Sequence, residues 1–351
     1  MARKVLVTGG SGYIAGFIIR QLIEEGWEVN TTIRSLAREQ AVRDVLATDN
    51  AKLRFFAADL TDDAGWAESM EGCSHLLHVA SPLPGATPKD EDDLVVPARE
   101  GALRALRFAK QAGIERVVMT SSVAAVAYGV GRGEHTFDES RWTDLSHPDI
   151  YPYVKSKTVA ERAARDWMLA SGAGMEFCTI NPSMVLGPIM SADFSTSLEA
   201  VRKLMDGSMP GVPDLGFCIV DVRDVADLHV KALTAPGMDG ERFIAAGKFY
   251  KLYDVGRVIR ARLGEEAKKV PTRRLPDWLV KLFALFDPVI RQVTSELGKV
   301  RHCDAGHAKE KLGWQTRDEE RTIEDTARSL IEHELAQRGD RRRFGVAAQR
   351  A

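Results

Sequence analysis

The chain has 351 residues, 44% of them hydrophobic, and a formal net charge of −2 from 48 basic and 50 acidic side chains. That is enough apolar material for one large domain or two smaller ones, and a balance this close offers no bulk field to attract nucleic acid or an anionic membrane. The four cysteines, Cys73, Cys178, Cys218 and Cys303, form no C-x-x-C pair, so reduced thiols are expected rather than a zinc site.

KVLVTG at the start reads as a buried strand, AGFIIRQLIEEG as a helix closed by glycine, and WEVNTTIR as the next strand. LRFFAADL, SHLLHVAS, ERVVMTSS and MEFCTINP follow as strand-like runs, separated by helical patterns such as VVPAREGALRALRFAKQAG and TVAERAARDWMLASG. Strands alternating with helices of this length predict a doubly wound α/β fold, a parallel sheet covered on both faces. Past residue 185 the rhythm loosens. GPIMSADFSTS and SMPGVPDLG read as loops, and DVRDVADLHVKAL as a helix with an acidic first turn. PDWLVKLFALF and TIEDTARSLIEHELA read as further helices, with HAKEKLGW between them. The expected division is a dinucleotide-binding domain over 1–185, with 215–250 returning to it. A smaller substrate lobe follows over 186–340, and a basic tail over 341–351. No apolar run approaches the ~20 residues of a membrane span, and MARKVLVTGG breaks into glycines too early for a signal peptide. A cytoplasmic location is expected.

VLVTGGSGYIAG places Gly9, Gly12 and Ala15 three apart, between the first strand and the first helix. Missing side chains let the backbone approach a pyrophosphate, and the helix N-terminus, at Tyr13 and Ile14, offers N–H groups to it. Gly10 and Gly16 suit turn geometry and close packing. An NAD site carries an acid on the ribose about 20 residues past the turn. Here that strand ends in Arg34, with Arg38 one turn on, and a guanidinium fork matches a 2′-phosphate. NADP is therefore expected. Asp59, followed by Leu60, ends the next strand; its carboxylate suits either the adenine amino group or a cap on TDDAGWAESM.

YPYVKSK, residues 151–157, contains two tyrosine–lysine pairs four apart. Proline favours the first helical position and keeps its predecessor out of the helix. Tyr153 and Lys157 then share one helical face, whereas Tyr151 lies outside. A free phenol titrates near pKa ~10, and a neighbouring ammonium and a cationic nicotinamide ring are expected to lower that value. A phenol so tuned can give a proton to a carbonyl oxygen as hydride reaches its carbon. Thr120, Ser121 and Ser122, at a strand end about 30 residues earlier, offer hydroxyls to hold that oxygen.

TGGSGYIAG, ADL, HVASP, TSS, YVKSKTVAE and NPSMVLGP occur in the order seen in extended short-chain dehydrogenases/reductases. The chain most resembles their dihydroflavonol reductase-like branch, which includes cinnamoyl-CoA reductases and microbial aldehyde and ketone reductases. The resemblance spans residues 3 to 335. It implies Ser122 as the catalytic serine with Tyr153 and Lys157, and Arg34 as the 2′-phosphate ligand. It further implies cofactor contacts at Thr120, at Ala80 and Ser81, and around Pro182, Met184 and Val185 beside the nicotinamide. There are departures. Ala127 replaces the asparagine that plant dihydroflavonol reductases place five residues after the serine, which argues against a polyphenolic flavonoid. Val123 and Ala124 stand where sugar dehydratases carry acids. Epimerase relatives share PYxKSK but show an acid at the position of Arg34.

The eight histidines show no metal-ligand spacing. His75 and His78 fall on opposite faces of one strand, and His229 reads as a packing or surface residue of its helix. Asp221 and Asp224 read as a cap and a first-turn acid. Tyr128, Met190, Phe194, Met209 and Phe217 are candidates for an apolar substrate wall. The expected function is NADP-dependent reduction of a small or medium aldehyde or ketone by a monomer or homodimer that needs neither nucleic acid nor membrane. The alternatives are a nucleotide-sugar epimerase with tightly held NAD and a non-enzymatic dinucleotide-sensing protein.

Overall fold

Runs of Val, Leu, Ile and Phe that are apolar on both sides cannot leave a face to water, so they pair with one another and are covered by helices. In the computed structural model, which describes residues 3–335 apart from 83–87, 89, 192–195, 287–290 and 292–293, this is what they do. The strands are β1 (Lys4–Val7), β2 (Glu28–Ile33), β3 (Leu53–Ala57), β4 (His75–His78), β5 (Arg116–Thr120) and β6 (Gly133–Phe137). Then come β7 (Glu176–Pro182), β8 (Met184–Leu186), β9 (Gly216–Asp221), β10 (Arg242–Ala245), β11 (Phe249–Lys251) and β12 (Lys299–Cys303). Seven of them form one sheet in the order β10-β7-β5-β4-β1-β2-β3, and every neighbouring pair is parallel.

Alternation along each strand divides the core in two. Val5, Val7, Leu77 and Val118 pack with the helices Tyr13–Glu24 and Val222–Thr234. Leu6, Leu76, Val117 and Met119 point the other way, against Asp92–Gln111 and Pro152–Ser171. The helix Asp92–Gln111 starts three residues before the pattern predicted, because Asp92 and Asp93 suit its positive end. Parallel strands bring their carboxyl ends to one edge. The segments after β1, β2, β3, β4, β5 and β7 therefore line up there.

The second half of the chain builds a third apolar cluster around Leu198, Val201, Ile259 and Ile323. Its small sheet runs β11-β9-β8, and β6 pairs in parallel with β12. Asp221 caps Val222–Thr234 by accepting from the Arg223 N–H, and Asp318 caps Glu319–Glu332 in the same way from Arg321. PDWLVKLFALF is helical only over Asp277–Phe283, and Trp278, Leu285 and Phe286 remain exposed. Among the described residues no helix is long and apolar enough to cross a membrane.

Candidate active site

The glycine turn is tight for identifiable reasons. Gly9 has φ +74°, a conformation side chains disfavour, and a Cβ there would meet the Ala80 Cα at 3.1 Å. A Cβ on Gly10 would lie 2.2 Å from the Thr31 hydroxyl. Gly12 precedes the helix Tyr13–Glu24 and gives it no side-chain cap, which leaves the first-turn N–H groups to a ligand. The Thr8 hydroxyl accepts from the Val79 and Ala80 N–H groups, both at 3.0 Å, and fixes this turn to the end of β4. The Tyr13 ring turns away from the turn, edge-on to Phe17 at 5.8 Å, with its hydroxyl near Gly187. Only the backbone of Tyr13 remains for a pyrophosphate, while Ile14 packs on the core.

Arg34 is exposed just past β2. Arg38 lines a cavity of about 290 Å³ that runs along Gly10, Ser11, Gly12 and Tyr13. Asp59 Oδ1 accepts from the Thr61 N–H at 2.8 Å and the Thr61 hydroxyl at 2.6 Å. The Thr61 hydroxyl, aided by Arg34 and Arg104, holds this carboxyl below its usual range. Asp59 thus caps the turn that follows it; the N-cap of the helix Trp66–Met70 is Gly65. Leu60, Ala80, Ser81, Thr120 and Lys157 line one narrow cleft further along the same edge. His78 lies there too, pushed down to about 4 by burial and then by Lys157.

The three hydroxyls at the end of β5 part company. Thr120 Oγ1 lies 2.7 Å from His229 Nε2, which makes His229 a satisfied core residue. Ser121 donates to Glu161 Oε2 at 2.5 Å. Ser122 Oγ accepts from the Ala124 N–H at 3.1 Å, and its hydroxyl stands close enough to the Tyr153 phenol to favour the ionised form. Tyr151 is the extended N-cap of Pro152–Ser171, with Pro152 at the first helical position. Tyr153 and Lys157 follow a turn apart, the Nζ 5.9 Å from the Tyr153 ring centre. Lys157 Nζ donates to Ser81 Oγ at 3.0 Å. Lys155 instead pairs with Glu91 at the surface.

Burial dominates the protonation of the site in the protein alone. Tyr153 is raised above its ordinary value, because desolvation outweighs the hydrogen bond from Ser122. The same burial lowers Lys157 to about 8, against an opposing pull from Glu161. The Lys157 ammonium is directed to Ser81 and does not depress the phenol in this state.

Pro182 closes β7 beside Ala245, and Met184 and Val185 begin β8, paired with Ile219 and Val220. Between them the Ser183 hydroxyl is buried without a partner. Of the apolar-wall candidates, Tyr128 stands next to the site, edge-on to Tyr151 at 6.1 Å and beneath the Arg301 guanidinium at 4.1 Å. Met190 instead borders the glycine-turn cavity, Met209 and Phe217 join the core of the second half, and Phe194 lies outside the described residues. Sequence reasoning missed Glu161, Asn181, Arg242 and Arg301. The first could have been suspected, since it lies four residues beyond Lys157 on the same helix.

Comparison with known proteins gives consistent relatives. The NAD dependent epimerase/dehydratase family matches residues 5–246. Cinnamoyl-CoA reductase 1 of Arabidopsis thaliana is 36% identical over 248 residues, 69% of this chain and 70% of its own length. Cinnamoyl-CoA reductase CAD2 of Medicago truncatula is 33% identical over 267 residues, 74% of this chain and 81% of its own. Among solved structures, yeast methylglyoxal/isovaleraldehyde reductase Gre2 complexed with NADPH superposes with a TM-score of 0.80 at 26% identity. That match covers 94% of this chain and 99% of that one.

Proposed function

Because this chain belongs to the NAD dependent epimerase/dehydratase family, on its cinnamoyl-CoA and dihydroflavonol reductase-like branch, we propose that it is an NADP-dependent reductase of small or medium aldehydes and ketones. The observation that carries this reading is the convergence of Ser122, Tyr153 and Lys157 at the sheet edge that also holds the glycine turn, with the Lys157 Nζ 5.9 Å from the Tyr153 ring centre and 3.0 Å from Ser81 Oγ. The residues present fit the cofactor. A side chain at Gly9 or Gly10 would fill the cradle, and Arg34 and Arg38 supply cations where a 2′-phosphate would lie. When bound, NADPH supplies the hydride.

The chain's own groups supply the rest. The N–H groups at Gly12, Tyr13 and Ile14 hold the pyrophosphate, and Asp59 and Leu60 border the adenine. Lys157 and Ser81 hold the ribose, and Ala80, Thr120, Pro182, Met184 and Val185 border the nicotinamide side. Ser122 donates to the substrate carbonyl oxygen, and Tyr153 gives that oxygen its proton. The raised value of Tyr153 keeps it protonated at neutral pH, which suits reduction. In this reading residues 1–185, with 215–250 returning to them, bind the dinucleotide, and 186–340 form the substrate lobe. The protein acts in the cytoplasm. Ala127, buried five residues beyond Ser122, offers no side-chain hydrogen bond to ring hydroxyls, which favours a plain carbonyl substrate.

The test is a spectrophotometric panel of aldehydes and ketones with NADPH and NADH. Carbonyl-dependent consumption of NADPH is expected. No consumption across the panel by protein shown to bind both cofactors overturns the reading.

A further inference from the structure

Directly behind the proposed site lies a buried charge that no step of the reaction uses. Glu161 is fully buried, one turn beyond Lys157 on the helix Pro152–Ser171. An isolated carboxylate there would be costly, and this one is surrounded by donors. It accepts from Ser121 Oγ at 2.5 Å, Arg242 Nε at 2.7 Å, Asn181 Nδ2 at 2.8 Å and Thr179 Oγ1 at 3.1 Å. Arg165 Nε lies at 3.3 Å. These partners come from β7, from the residue after β5, from the first residue of β10 and from the helix itself.

Two of them reach further. Asn181 Nδ2 also donates to the Ser122 carbonyl at 3.1 Å, and Arg242 Nη2 to the Ala125 carbonyl at 3.1 Å. The stretch Ser121–Ala125, with the proposed catalytic serine near its start, is thus held by a side chain and two carbonyls. All three attachments lead back to Glu161, which rides on the helix that carries Tyr153 and Lys157.

We propose that Glu161 is a positioning residue that, through Ser121, Asn181 and Arg242, sets Ser122 against Tyr153 and Lys157, which ride on the same helix as Glu161 itself. The proposal rests on the Ser122–Tyr153–Lys157 reading above. Lys157 is faced by the Tyr153 ring and Glu161 from its own helix, by His78 from β4 and by Ser81 after it. Arg165 and Arg242 stand behind Glu161. Of these groups only Glu161 is negative. Removing its charge leaves burial and the cations to act alone, so Lys157 must lose its proton at lower pH.

The test compares full-length wild type, Glu161→Gln and Ser121→Ala. Two readouts are used: kcat against KM with NADPH and a carbonyl, and the pH dependence of Lys157 acetylation by acetic anhydride, read by mass spectrometry on the unliganded protein. The labelling midpoint is expected near 8 in wild type, lower in Glu161→Gln and unmoved in Ser121→Ala. Kcat is expected to fall by roughly 10²-fold in Glu161→Gln and by a smaller factor in Ser121→Ala, because a displaced group loses its near-attack geometry. NADPH affinity, measured below the labelling midpoint of each variant, should be retained in both. The proposal is overturned if kcat is unchanged in Ser121→Ala, or if the midpoint in folded Glu161→Gln is unmoved. The labelling arm needs no turnover, so an inactive wild type would sink the reductase reading while the midpoint still decides the role of Glu161.

Discussion

Lys157 Nζ and Ser81 Oγ lie 3.0 Å apart, and their hydrogen bond ties the helix that begins at Pro152 to the end of β4. Ser81 is thereby the first acceptor for an ammonium that burial has weakened to about 8. Replacing Ser81 by alanine leaves that ammonium desolvated with one acceptor fewer. Lys157 should then titrate lower still, and NADPH should bind about tenfold more weakly, the size of a lost hydrogen bond to a charged group. Fluorescence titration of NADPH against Ser81→Ala reads this directly; unchanged affinity would remove Ser81 from the cofactor site.

The pH dependence of reduction follows from the same lysine. Its value is lowered by burial, so it is charged below about 8 and neutral above. Tyr153 is raised and stays protonated well beyond that point. Turnover in the reductive direction should therefore decline as pH rises through about 8, while the phenol still carries its proton. A kcat profile flat from pH 7 to beyond pH 9, in roughly one-unit steps about that lysine value, would show that the lysine charge is not required.

Tyr153→Phe removes the proton donor and little volume. Loss of a positioned general acid costs roughly 10²–10⁴-fold in rate, so kcat should fall by that order. Thermal stability should change little, since the substitution removes one hydroxyl and leaves the aromatic ring in place. Activity that survives this change would mean that another group delivers the proton.

The parts of this site that could be read from the chain are those set by local rules. Pro152 decided which tyrosine lies in the helix, and apolar runs marked β1, β2, β3, β4, β5 and β7. What stayed hidden depends on distant pairing or on burial. Glu161 in AERAAR reads locally as a surface partner of Arg165, four residues on. Only the return of β10 beside β7 brings Arg242 to it and makes it a buried junction. The parallel pairing of β6 with β12 joins segments far apart in the chain and has no local signal. Without cofactor the Tyr153 phenol is raised rather than lowered, a direction hidden in the chain because proximity of charge is visible in a spacing and desolvation is not.

Cofactor choice should turn on Arg34. It is exposed at the end of β2, with Asp59 close enough across the edge to feel its charge. Arg34→Asp would place a second carboxylate beside Asp59, repelling a 2′-phosphate while offering an acceptor to a ribose 2′-hydroxyl. KM for NADPH should rise by about tenfold or more, the loss of one charge-assisted contact, and the NADPH-to-NADH preference should narrow or reverse. Equal preference before and after the change would shift the phosphate site to other cations.

Gly10 offers a test of the cradle that does not depend on chemistry. A Cβ there would stand 2.2 Å from the Thr31 hydroxyl, and that hydroxyl cannot simply swing aside, because it donates to the Val7 carbonyl at 2.8 Å within the sheet. Gly10→Ala must therefore push the turn away from β2 or break the Thr31 bond. Overpacking of this kind costs about 1–3 kcal/mol, which a lowered midpoint of thermal unfolding would report. A displaced turn also misplaces Gly9 and Gly12, so NADPH binding should weaken beyond what the stability loss accounts for. If Gly10→Ala bound NADPH as tightly as wild type, the pyrophosphate would have to sit elsewhere than against this turn.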